Sequence, residues 1–151
     1  MWDKDWKKGR APVIRQFENY IGILMGYEPE ACEQRGVCSV QCVAEADGSA
    51  YPCDFYVLDE YRLGNYNSDT VEELMESQHA VRFVRESLKI DPECTACKWY
   101  FLCRGGCRRN RIRTGNGGAY RNYFCESYRM FFEKCSKRMN EIAQYARIIK
   151  M

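Results

Sequence analysis

The chain of 151 residues is one ordinary domain's worth, large enough for a core and too small for a two-domain enzyme of the usual kind. Its net charge of +2 excludes whole-molecule attraction to nucleic acid, and no run approaches the roughly 18 consecutive apolar residues of a membrane span. Ten cysteines against one histidine are the unusual feature, and eight of the ten fall between Glu28 and Tyr123, where long apolar runs are few.

Residues 1–30 read as an approach segment ending in a helix. Val13, Ile14, Phe17, Ile21, Leu24 and Met25 recur at helical spacing, with Pro12 suited to the first turn and Gly26 to the stop. A face this apolar needs a partner, inside the chain or outside it. The opening MWDKDWKKGR is polar and tryptophan-bearing, unlike a domain's natural start. From Ser39 the pattern alternates: SVQCVAEA, Asp47-Gly48 and SAYPC predict a β-hairpin in which Asp-Gly supplies the positive φ angles of a primed turn. Leu63-Gly64-Asn65 marks a second turn. Asp69 or Thr70 can cap a helix through VEELMES, with Glu73 completing a capping box after Thr70. A further helix, roughly residues 80–89, stops before Asp91-Pro92. His79, in VEELMESQHAVRFVRESL, reads as a surface or helix-packing histidine, since nothing around it has ligand spacing. TGNGGAY (114–120) predicts a flexible connection. The last long helix begins near Phe124 and carries Tyr128, Phe131, Cys135, Met139, Ile142 and Ile149 on one face, where Cys135 reads as a small core residue.

Secreted disulfide scaffolds follow a signal peptide, and MWDKDWKKGR has charges where an apolar stretch is needed. The setting is therefore read as reduced and intracellular, where clustered cysteines are metal ligands and an all-sulfur set selects zinc or iron–sulfur. Cys94-Thr-Ala-Cys97 is a tight two-ligand turn, Cys103 follows, and Gly105-Gly106 frees the backbone to bend before Cys107. Upstream, Cys32, Cys38 and Cys53 have wider gaps, and Cys42 competes with them. Grouping by nearest neighbours gives one site from Cys94, Cys97, Cys103 and Cys107 and strands Cys125 at a helix start. Ferredoxins offer the opposite precedent, in which the last cysteine of a run serves the other cluster. Spacing leaves both groupings open. Arg104, Arg108, Arg109, Arg111 and Arg113 crowd the stretch after Cys103; they can bind phosphate, but the patch lacks regular aromatic interleaving and suits guanidinium groups that offset negative sulfur centres.

The run C-x5-C-x14-C, whose third cysteine lies in YPCDFYVLDEYRLGN, then C-x2-C-x5-C-x3-C in CTACKWYFLCRGGC and a cysteine in NYFCESYRMFFE resemble the SPASM domain of radical S-adenosylmethionine enzymes. The wording is most similar to the branch of anaerobic sulfatase-maturating enzymes, over about residues 32–135. The resemblance implies two auxiliary [4Fe-4S] clusters, one on Cys32, Cys38, Cys53 and Cys107 and the other on Cys94, Cys97, Cys103 and Cys125, with Cys42 and Cys135 outside both. It implies oxidation of a sulfatase cysteine or serine to formylglycine: a radical derived from S-adenosylmethionine takes a hydrogen atom from the β-carbon, a base takes the thiol or hydroxyl proton, and the electron leaves through a cluster. The base position falls on Asp54, next to Cys53. One departure stands out: the C-x3-C-x2-C motif that supports cleavage of S-adenosylmethionine is absent, because Cys38 and Cys42 have the first gap but position 45 is Glu.

These implications predict an α+β fold: a small cysteine-rich domain with a β-hairpin and short helices around two metal centres, flanked by an N-terminal helix and a long C-terminal helix. Residues 1–30 are expected to be the tail of, or bridge to, a missing radical S-adenosylmethionine barrel that alone binds S-adenosylmethionine. Residues 31–135 form the cluster domain and 136–151 the end of the last helix. The chain alone is expected to be inactive. Expected partners are the barrel, a sulfatase polypeptide and an electron acceptor such as flavodoxin or ferredoxin, in the cytoplasm, without nucleic acid or membrane. Two alternatives stay open: a related maturase acting on another peptide, and a non-enzymatic binding module with four-thiolate zinc sites.

Overall fold

Two amphipathic helices from opposite ends of the sequence bury their apolar faces on one another. The computed structural model describes residues 2–115 and 118–149. Trp2–Lys7 forms α1 and Arg15–Met25 forms α2, which packs on the long helix at residues 125–149. Tyr20 and Ile21 on α2 meet Phe132, Met139, Ile142 and Ala143, with Leu102 closing the cluster. Of the two partners expected for this apolar face, inside the chain or outside it, the structure supplies one inside the chain. Gly26 ends α2 as foreseen, at φ 92°, its N–H turned back to the Gly22 and Ile23 carbonyls. Pro12 does not start the helix. Its carbonyl accepts from Trp2 Nε1 at 2.9 Å, Ile14 is extended, and Val13, counted with the apolar face, is 86% exposed.

The hairpin forms where alternation predicted it. β1 (Val43–Ala44) pairs with β2 (Ser49–Tyr51) in antiparallel register, Val43 opposite Tyr51 and Ala44 opposite Ala50. The turn is not a primed one: of Asp47 and Gly48 only Gly48 has a positive φ, 83°, because the Asp47 carboxylate holds Ser49 N and Oγ, each at 2.9 Å. The expected turn at residues 63–65 is instead β3 (Gly64–Asn65), which adds to β2. A Cβ on Gly64 would stand 2.4 Å from Asp69 Oδ2 and 2.6 Å from Leu74 Cδ2, so only glycine lets this strand approach.

α3 (Val71–Glu76) starts at the predicted box: Thr70 Oγ1 accepts from Glu73 N and the Glu73 carboxylate from Thr70 N. α4 (Gln78–Ser87) is capped by Ser77. His79 is exposed on α4, its Nδ1 2.7 Å from the Arg62 carbonyl. Asp91-Pro92 stops one helix and starts the next, α5 (Pro92–Thr95), since Asp91 accepts from Glu93 N and proline suits a first turn. α6 (Tyr100–Cys103) follows. The flexible connection is in fact a hairpin, β4 (Arg111–Thr114) with β5 (Ala119–Asn122); residues 116–117 of TGNGGAY lie outside the described residues. α7 (Cys125–Ile149) begins one residue after the predicted start, and Asn122 Oδ1 accepts from Phe124 N at its approach. The side chain of Ile149 lies outside the described residues, as do residues 1, 150 and 151. No described helix is long and apolar enough to cross a membrane. The result is the α+β arrangement expected, small antiparallel sheets and short helices with a helix on each flank.

Candidate metal centres

The cysteines separate into two sets that do not follow sequence neighbourhood. Cys94 closes α5, Cys97 lies in the turn after it, Cys103 ends α6 and Cys125 opens α7; these four line one pocket together with Trp99, Tyr128 and Phe132. Cys107, only four positions beyond Cys103, is not among them. Its sulfur acts electrostatically on Cys38 and on Cys53, and Cys53 also feels Cys32. Cys32 opens a 3-10 turn (Cys32–Gln34), Cys53 precedes another (Asp54–Tyr56), and Cys107 precedes a third (Arg108–Asn110).

The chain crosses between the sets through left-handed backbone. Arg104, Gly105 and Gly106 have φ of 43°, 83° and 63°. A Cβ on Gly106 would lie 2.2 Å from Asn122 Nδ2, so glycine is required for space as well as for conformation. Cys38 is fixed from its backbone: its N–H donates to Ser87 Oγ at 2.9 Å, and that hydroxyl, fully buried, donates to the Val84 carbonyl.

Burial pushes the thiols of Cys38, Cys53, Cys103 and Cys125 up, and that of Cys94 to about 11, with neighbouring sulfurs adding to the rise. Such groups hold their protons until a metal displaces them, and binding then releases protons. Cations stand ready to offset a thiolate-bound centre. Arg121 and Arg129 line the pocket of Cys94, Cys97, Cys103 and Cys125, while Arg108 and Arg111 act on Cys38. Among the described residues no three His, Cys, Asp or Glu converge as a single ion requires. Four cysteines around one pocket offer the all-sulfur ligation that zinc and iron–sulfur centres both take. The donor chemistry therefore fits iron–sulfur clusters.

Four arginines of the run are engaged by the fold. Arg108 sits over the rings of Tyr56, Tyr61 and Phe83 at 4.9–5.7 Å and pairs with Glu86 at 2.8 Å. Arg109 covers Phe55 at 4.3 Å, Arg104 reaches Glu28 at 3.1 Å, and Arg111 is engaged by backbone carbonyls. Asp54 lies directly after Cys53, at the head of its 3-10 turn, and its side chain is exposed. Cys42 has φ 53° and gives its carbonyl to Tyr66 Oη at 2.6 Å; it belongs to neither set. Cys135 packs against the helical core, as expected. Ser87 and Asn122 were not singled out by sequence, and no spacing signal marks them; Tyr128 was marked only as part of the apolar face of the last helix.

Residues 32–98 match the family model of the SPASM iron–sulfur cluster-binding domain. The chain is 44% identical over 144 residues to the cysteine-type anaerobic sulfatase-maturating enzyme of Clostridium novyi (strain NT), covering 95% of this chain and 38% of that protein. It is 33% identical over 129 residues to the serine-type anaerobic sulfatase-maturating enzyme of Bacteroides thetaiotaomicron, covering 84% of this chain and 31% of that protein. Native anSMEcpe with bound AdoMet and Cp18Cys peptide superposes with a TM-score of 0.88 at 42% identity, over 96% of this chain and 40% of that chain. The chain therefore spans about two fifths of the length of the first relatives it matches.

Proposed function

Because this chain carries a SPASM iron–sulfur cluster-binding domain and is a relative of the anaerobic sulfatase-maturating enzymes, we propose that it is the auxiliary-cluster and substrate-contacting part of a maturase that oxidises a sulfatase cysteine or serine to formylglycine. The observation that carries this reading is the crossed grouping. In its support, Cys125 lines a pocket with Cys94, Cys97 and Cys103 that Cys107 does not line, and the charge of Cys107 acts on Cys38 and Cys53.

On this reading Cys32, Cys38, Cys53 and Cys107 hold one [4Fe-4S] cluster, and Cys94, Cys97, Cys103 and Cys125 hold the second. When bound, the clusters supply a one-electron acceptor. Oxidation of a β-carbon bearing a thiol or hydroxyl removes one hydrogen atom, one proton and one electron to leave a carbon–heteroatom double bond; from serine this is formylglycine itself, and from cysteine it is a thioaldehyde that water converts to formylglycine with release of hydrogen sulfide. Asp54 takes the proton on its carboxylate, as a general base within reach of the substrate heteroatom. Its exposure suits a group that meets a polypeptide arriving from outside the chain. The hydrogen atom is abstracted elsewhere, since Cys38 and Cys42 are not followed by a cysteine at position 45. A radical S-adenosylmethionine domain, joined through residues 1–30, binds S-adenosylmethionine; this chain by itself is inactive. An electron carrier such as flavodoxin or ferredoxin removes the electrons in the cytoplasm. Identity is higher to the cysteine-type relative than to the serine-type one, which favours cysteine as the residue acted on.

Anaerobic reconstitution of this chain with iron and sulfide should give about eight irons, from two four-iron clusters; two zincs and no iron would overturn the cluster assignment. In the protein at its natural length, Asp54→Asn should keep the parent iron content and stop turnover. Normal turnover removes Asp54 from the mechanism.

A further inference from the structure

We propose that Arg111 is the positioning residue of the crossing: its guanidinium pins the Cys103–Cys107 segment between both cysteine sets and is the partly buried positive charge that the two sets share. The proposal rests on the ligand assignment above. Arg111 stands on β4, four residues beyond Cys107, and turns its side chain back under the crossing. Its Nε donates to the Gly105 carbonyl at 3.1 Å, and Nη2 to the Gly106 carbonyl at 2.8 Å and the Gly36 carbonyl at 3.5 Å. Nη1 donates to the carbonyl of Ser87. Each acceptor adjoins a cluster cysteine. Gly36 lies two residues before Cys38, Ser87 holds the Cys38 N–H, and Gly105 and Gly106 are the residues that carry the chain from Cys103 towards Cys107.

Four carbonyls around one guanidinium give all three of its nitrogens an acceptor without a carboxylate. The charge is therefore not cancelled by a neighbouring acid. The sulfurs of Cys38 and Cys107 in one set and of Cys94 in the other all favour it, against burial. Arginine's planar fork serves these carbonyls together, which the single point charge of a lysine of similar reach cannot do. A partly buried cation beside a thiolate-ligated cluster stabilises the reduced, more negative form, so its loss makes both clusters harder to reduce. The close approach is also visible from the backbone side: a Cβ on Gly105 would stand 3.5 Å from Arg111 Nη2, in contact with the guanidinium that holds it.

The test uses the protein at its natural length, reconstituted anaerobically, with iron per chain and the midpoint potentials of the clusters measured by spectroscopic redox titration. Arg111→Gln should shift both auxiliary clusters by about tenfold or more in the oxidised-to-reduced ratio at a fixed potential, about 59 mV lower for one electron. Arg111→Lys keeps the charge without the fork and should hold the potentials near the parent's at reduced thermal stability. Arg113→Gln, exposed on the same strand, should change neither. If Arg111→Gln does not fold, Arg111→Met supplies the neutral variant; failure of both neutral variants to load where Arg111→Lys loads supports the role equally. Neutral variants that load fully at parent potentials overturn it, as does an Arg111→Lys protein shifted as far as the neutral ones. A parent protein that binds no iron at these cysteines overturns the ligand assignment itself, a different and separable outcome.

Discussion

Between α2 and α7 the touching side chains are large and apolar: Tyr20 meets Phe132 edge-to-face at 5.1 Å, Phe17 stacks on Phe131, and Met139 and Ile142 are buried beside them. Between residues 31 and 124 the buried apolar residues are mostly small or scattered, Ala31, Ala50, Leu74, Ala80 and Phe83 among them. What ties that middle together is polar: Ser87 to Cys38, Arg108 in its ring of aromatics, Arg111 under the crossing. Burial of a large apolar side chain stabilises by about 1.5–3 kcal/mol wherever it occurs. A hydrogen bond nets about 1 kcal/mol and only while its partners stay in place. The helical layer can therefore hold itself, whereas the middle needs its cysteines bridged.

Removal of metal is the strongest way to break this contrast. Amides in residues 31–124 should lose most of their protection from hydrogen exchange, while those of α2 and of the α7 turns facing it keep theirs. Equal loss in both regions would show one cooperative unit and sink the division. Next in size is the wiring. Cys107→Ala and Cys94→Ala should each lower the iron of this chain from about eight to about four, and the spectra of the two survivors should differ. If both variants abolish the same cluster, the crossing between Cys103 and Cys107 is wrong.

Phe132→Ala attacks the other side. Phe132 is fully buried, among Tyr20, Trp99 and Tyr128, and its truncation should cost about 3–5 kcal/mol in denaturant unfolding. Because its ring also lines the pocket of Cys94, Cys97, Cys103 and Cys125, the iron of that set should be the first released on warming. A smaller effect follows from pH. The Cys94 thiol is raised from 9.0 to about 11 by burial and by Cys125 and Cys103. A folded state that holds the proton more tightly keeps this contribution in full below about pH 9 and loses it as pH rises towards 11. Metal-free protein should thus soften in the middle across that window, while metal uptake, which expels the proton, strengthens with pH. Uptake that weakens as pH rises would contradict the thiol state assigned to the metal-free site.

How far the sequence foretold this follows the same division. The capping box at Thr70, the Gly26 stop, the β1–β2 hairpin and the face of α7 are local patterns, and each forms where its residues predict. The misses are of three kinds. Val13 and Pro12 have helical spacing, but the Trp2 bond to the Pro12 carbonyl draws that segment away from α2. Gly64 carries turn composition yet serves a strand, since its pairing to β2 comes from outside the local pattern, and the ends of TGNGGAY belong to the strands of a β4–β5 hairpin whose residues show no apolar alternation to mark it. Phe132, one residue off the marked stripe, is the most buried ring because α2 and α6 close on α7 from two directions. The grouping of the cysteines was implied only by resemblance. Spacing left Cys107 open between its neighbours and the distant cysteines, and what lies between Cys103 and Cys107, three left-handed residues and the Arg111 anchor, leaves in the sequence only the Gly-Gly pair.

The mildest probe asks whether the middle is one unit or several. α3 has six residues, too few to persist alone. It is held by the Thr70–Glu73 box and by Leu74, which is buried against the glycine of β3. Thr70→Ala should cost about 1 kcal/mol, read as faster amide exchange confined to residues 71–76. Neither α3 nor its cap lines the cysteine pocket, and α3 packs on α4, which carries Ser87 and through it the Cys38 N–H. Iron content and cluster spectra should accordingly stay at parent values in Thr70→Ala. A loss of iron from the Cys32, Cys38, Cys53 and Cys107 set alone would mean that α3 and α4 form the wall that keeps Cys38 in place. The middle would then divide at the crossing, each half folding around its own four cysteines.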